Sequence, residues 1–158
     1  MSSFNLLQTF LALHLTGLIL MAGTTFVDYT TFKTFWKQFA LDREKSLGLL
    51  EATGKFSRLI GIGAALLILT GIGMMAITKG VFGEQLWFRI KFALVIVIIA
   101  NALLNGRRLG LKLRKTVADG GVNATLQTES FRTRLNWFHL IQLLLFLVII
   151  FLSVFKFN

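Results

Sequence analysis

Cysteine and proline are absent from the 158 residues, tyrosine occurs once, and there are only two histidines and seven acidic residues. Without cysteine the chain has no disulfide, thiolate metal site, Fe–S cluster or thiol nucleophile. Without proline no helix carries the built-in kink that a missing backbone donor creates. The shortage of acids leaves a formal net charge of +10. In a soluble protein that excess would suggest nucleic acid. Here the membrane explains it better, because anionic lipid heads attract nearby Lys and Arg by about 1 kcal/mol each. No nucleic-acid partner is expected.

What the chain does have is apolar bulk: 55% hydrophobic residues and a mean hydropathy of +0.73. Soluble domains average about 45–50% apolar residues, dispersed by period. In this chain they fall in four blocks, near 4–27, 57–78, 86–105 and 136–155. Each is long enough for the roughly 20 residues that cross a hydrocarbon core. The first block has no basic lead-in and no small-residue cleavage site, so it is expected to persist as a span rather than a cleaved signal. The expected architecture is all-α, a four-helix integral membrane bundle in one transmembrane domain over 1–158.

Thirteen of the seventeen basic residues lie in two segments, 28–58 and 106–134. The positive-inside rule makes both segments cytoplasmic and both termini external, which in a bacterial inner membrane means periplasmic. Phe32, Phe35, Trp36 and Phe39 recur at helical spacing between basic residues, predicting either an amphipathic interfacial helix or a continuation of the first span. Asp42 marks a candidate helix start. Lys112 to Lys115 reads as lipid-head anchoring, and the run 119–123, with Gly120 and Gly121, as a flexible break.

Both histidines fall inside spans, where ionisable groups are costly and need partners. His14, Met21 and Asp28 are seven apart and share one stripe of a helix, with Gly17 one turn from His14. A histidine near glycine on a membrane helix suits haem: imidazole ligates the iron axially, and glycine clears room for the macrocycle. The alternative is a histidine that knits helices together by hydrogen bonding. Gly61 with Ala65, and Gly73 with Ala76, form a candidate small-residue packing face. Lys91, near the outer end of the third span, either snorkels to water or faces inward to pair a haem propionate or a substrate carboxylate; Arg89 is the neighbouring alternative. Asn101 and Asn105 are expected to bond across helices. Asn136, His139 and Gln142 make one polar flank of the fourth span. His139 is expected about 9 Å below His14 by helix rise, a poor match for one iron shared between them.

Three stretches resemble the HemJ-type protoporphyrinogen oxidases and the related CopD-like four-span membrane proteins. They are Leu13-His14-Leu15-Thr16-Gly17, the third-span opening Trp87-Phe88-Arg89-Ile90-Lys91, and the Val154-Phe155-Lys156 tail. The resemblance implies haem b and porphyrinogen oxidation, with His14 and Lys91 at the family's histidine and lysine positions. Asn101 and Asn105 stand where that family carries a further histidine, and the fourth span opens differently.

The expected function is therefore a haem b-binding membrane redox protein with porphyrinogen or quinol as candidate substrate. His14 is its metal ligand, and Gly17, Met21 and His139 are further candidate cofactor contacts. Lys91 and Arg89 are the candidate catalytic cations. The competing reading is a non-enzymatic subunit or scaffold of a larger membrane complex, for which the sixteen phenylalanines suit equally well. Candidate partners are anionic lipids at the cytoplasmic loops, a second copy of the chain, or that larger complex.

Overall fold

The computed structural model describes residues 3–119 and 124–155, and every described segment longer than a turn is helical. The helices are α1 (Ser3–Phe39), α2 (Arg43–Ile77), α3 (Leu86–Asn101), α4 (Arg107–Asp119) and α5 (Ala124–Val154). A short 3-10 turn, Val81–Glu84, precedes α3, and a π turn, Ala102–Gly106, joins α3 to α4. Four helical stretches are long and apolar enough to cross a membrane: Ser3–Phe39, Lys45–Ile77, Leu86–Val117 and Glu129–Val154. This is a four-helix membrane bundle. The break read at 119–123 and the Lys156 end of the tail motif lie outside the described residues, of which 119 itself ends α4.

The helices run further than the apolar blocks. Segment 28–39 continues α1 rather than forming a separate interfacial helix, since no glycine or proline interrupts it. The chain turns at 40–42, where Asp42 adopts an extended conformation (φ −151°) and its side chain accepts from the Lys45 amide at 3.2 Å, capping α2 as its position suggested. At the other end of α2 the Gly80 amide reaches back to the Met75 carbonyl at 3.0 Å, a closure made by Lys79 in the left-handed region at φ +50°. Gly80 follows at φ +75°, which a glycine adopts without steric cost.

Two apolar clusters hold the bundle at different levels. Met21, Leu67, Ile98, Phe146 and Ile149 form one where the apolar spans meet. Phe32, Phe35, Leu50, Leu113, Val117 and Leu135 form the other, drawing on α1, α2, α4 and α5 at the basic end of the molecule. Between these clusters and beyond them lie the polar groups.

Candidate functional site

At the crossing of α1 and α2 the two backbones meet through glycine. A Cβ on Gly63 would stand 2.9 Å from the Gly17 carbonyl oxygen and 2.9 Å from the Met21 amide, and one on Gly17 would stand 3.1 Å from the Gly63 oxygen. Any side chain there must push the helices apart. Gly73 in turn lies under the Phe10 ring, whereas Gly61 has nothing within 4 Å of where its Cβ would stand. The packing face of α2 is thus Gly63, Gly71 and Gly73, not the Gly61 and Ala65 pair expected from spacing. Gly17 is closed by Gly63 and Leu67, and Met21 is buried against α2. Both are helix contacts here, which leaves Gly17 no space for a macrocycle.

One turn from that crossing, the half-buried His14 places Nδ1 2.9 Å from Thr70 Oγ1. The Thr70 hydroxyl donates to the Leu66 carbonyl at 2.6 Å. Its single proton is spent there, so toward His14 it accepts, and the proton belongs on Nδ1. The lone pair then sits on Nε2, the ring nitrogen Thr70 does not use. Lys91 of α3 stands close enough to act on the imidazole electrostatically. Gly71 flanks the ring, its Cβ position 3.6 Å from His14 Cε1. Arg89 points elsewhere: it is exposed, and its Nε donates to the Gly83 carbonyl at 3.1 Å, fastening the turn before α3.

His139 belongs to a second centre. It is 3% exposed, with Nδ1 2.7 Å from the Leu135 carbonyl and Nε2 3.1 Å from Asp28 Oδ2. The carbonyl can only accept, so Nδ1 carries a proton, and a second proton is shared between Nε2 and the carboxylate. Aromatic rings surround the imidazole: Phe32 stacks at 5.4 Å, Phe138 stands edge-on at 5.0 Å and Tyr29 lies at 5.7 Å. With both ring nitrogens engaged, His139 has none left for iron. Fourteen residues of α1, about 21 Å of helix, separate His14 from Asp28 and hence from His139. That replaces the 9 Å expected, and the two histidines do not share one site.

Next to this pair runs an amide chain. Gln142, buried, donates to the Ile98 carbonyl at 3.2 Å and accepts from Asn101 at 3.0 Å, while Asn105 donates to Asn101 at 2.7 Å. The π turn begins one residue after Asn101, and such turns recur at functional positions.

Thr70 and the aromatic box around His139 are the components that spacing alone did not single out. Among the described residues no three His, Asp or Glu side chains gather as a metal-binding group. Of the four histidine ring nitrogens, His14 Nε2 is the one outside the hydrogen bonds just described. A family model described as "Predicted membrane protein (DUF2214)" matches residues 7–156. No curated protein and no solved structure matches the chain.

Proposed function

The chain belongs to the DUF2214 family of predicted membrane proteins, and from that premise we propose that it is a haem b-binding redox protein of a bacterial inner membrane, in which His14 would hold the haem iron. The observation that carries this reading is the anchoring of His14. A metal-ligating imidazole ordinarily donates its other N–H to a fixed acceptor, which sets its tautomer and orientation. The Nδ1–Thr70 bond meets that requirement and leaves the lone pair on Nε2. Lys91, within electrostatic reach of the ring, is suited to pair a haem propionate or a substrate carboxylate. The residues present thus fit one histidine ligand and one carboxylate-binding cation. Gly71, rather than Gly17, is the small residue beside the ligand.

Bound haem supplies one-electron exchange. The chain's own residues would bind and orient it: His14 would ligate, Thr70 fixes the imidazole tautomer and Lys91 would neutralise a carboxylate. Candidate substrates follow the resemblance, a porphyrinogen, whose carboxylates suit Lys91, or a quinol. The positive-inside rule puts both termini in the periplasm and His14 with Lys91 in the outer half of the membrane.

A second reading, a non-enzymatic subunit, is favoured by how much of the polar inventory is spent between helices, in Asp28–His139 and Asn101–Gln142. Absorption spectra separate the two. Oxidised and dithionite-reduced wild type would be compared with His14→Ala, Thr70→Val and His139→Ala. The haem reading expects a reduced b-type band that His14→Ala abolishes and His139→Ala retains, with haem affinity lowered about 10–100-fold in Thr70→Val. Colourless wild-type protein from haem-replete cells overturns it in favour of the subunit.

A further inference from the structure

A groove of about 460 Å³ lies between the α3–α4 junction and the start of α5. We propose that it binds the phosphate headgroup of an anionic phospholipid. This rests on a different part of the molecule from the His14 site and is independent of it.

Three cations line the groove: Arg108 and Lys112 on α4, and Arg134 on α5. Some basic side chains elsewhere have partners within the protein. Lys45 pairs with Asp42, Arg132 with Glu129, and Arg114 donates to Thr53. No carboxylate among the described residues pairs with Arg108, Lys112 or Arg134. Arg108 and Lys112 are also four apart on one helix, where like charges repel unless an anion lies between them. The groove thus concentrates positive charge that the protein itself leaves uncompensated.

Its other wall says what kind of anion fits. Trp137, 61% exposed, and Ile141 line it from α5. Beyond them the same helix turns Leu144 and Leu147 outward, so an acyl chain has a continuous apolar track away from the cations. A tryptophan with one apolar and one polar neighbourhood is characteristic of the headgroup level. The π turn supports the placement. An extra residue in a helical turn rotates the succeeding helix by about 100°, and beyond it Leu113 and Val117 face the core while Arg108 and Lys112 flank the groove. Phosphate at the mouth with hydrocarbon along Trp137 and Ile141 is the geometry of a phospholipid, not of a soluble phosphate. Basic pockets of this kind between membrane helices hold anionic lipid heads.

The test is native mass spectrometry of the full chain in detergent, titrated with phosphatidylglycerol or with phosphatidylcholine of the same acyl chains. Wild type is compared with R108Q/K112Q/R134Q and with the charge-matched control K37Q/K55Q/R58Q. The expected result is a preference for phosphatidylglycerol that falls about ten- to a hundredfold in the groove variant and is kept by the control, with inorganic phosphate failing to compete. Equal loss in both variants reduces the effect to diffuse charge and overturns the site. Displacement by inorganic phosphate overturns the lipid as its ligand. Should the groove variant fail to fold, brominated phosphatidylglycerol diluted in phosphatidylcholine vesicles serves instead. It should quench wild-type tryptophan fluorescence more than brominated phosphatidylcholine does, and Trp137→Phe should remove the difference; no difference overturns the proposal.

Discussion

At the scale of single residues, the most consequential contact is Asp28 with His139. It joins α1 to α5 across 111 positions of sequence in a setting with little water, the side chains being 4% and 17% exposed for His139 and Asp28 respectively. Removing either partner strands the other, and a buried group left without its hydrogen bond costs about 1–3 kcal/mol. Removing both does not add those costs. Asp28→Ala and His139→Phe are each expected to lower the unfolding midpoint in detergent, and the double variant to fall short of the sum, with a coupling of about 0.5–3 kcal/mol. Strict additivity would show the pair to be a proximity without energetic content. Half of this pair was legible in the sequence. The seven-residue spacing put Asp28 on the stripe of His14 and Met21, but its partner depended on which helix α1 faces. That Lys91 comes within electrostatic reach of His14 was more readable, because the spans put both residues toward the same end of the bundle. Thr70 escaped notice because a threonine in a span ordinarily bonds its own helix, as Thr25 does to Met21.

Among elements, the α1–α2 crossing decides how closely the long hairpin packs. Without water to drive helices together, close backbone approach is what small residues contribute. Gly63 sits in that approach and Gly61, half a turn away, does not. Gly63→Ala is expected to destabilise by about 1–3 kcal/mol, as overpacking does, while Gly61→Ala should stay within about 0.5 kcal/mol of wild type, as open positions do. Thermal unfolding of the two variants side by side checks this, and equal effects would remove the crossing from its assigned place. Spacing alone could not choose between these glycines, since they are two residues apart and either fits a small-residue motif. The ends of the helices were hidden for a related reason. Apolar windows stop where lipid would stop, but helix propagation continues through Lys33, Lys37 and Lys55 because nothing in the backbone opposes it. The π turn at Ala102–Gly106 leaves no mark in the apolar spacing, and its Asn105-Gly106 pair signals a turn without saying of which kind.

The whole molecule is built in two storeys. α1 has 37 residues, about 55 Å of helix, against roughly 30 Å of hydrocarbon, so a substantial part of it must stand outside the lipid or in the headgroups. The cluster of Phe32, Phe35, Leu50, Leu113, Val117 and Leu135 gives that outer part its own core, and the segments around it carry thirteen of the seventeen basic residues. Charge and packing thus coincide at one end, which the positive-inside rule assigns to the cytoplasm. The missing cysteines make this directly measurable, because one introduced thiol is the sole target for a maleimide. Lys37→Cys and Lys115→Cys, both exposed at the basic end, are expected to resist a membrane-impermeant maleimide in intact spheroplasts and to react once the membrane is opened. Lys79→Cys, exposed in the turn after α2, should react in both. The reverse pattern would invert the bundle, moving His14 and Lys91 to the cytoplasmic half and the basic groove to the outer leaflet.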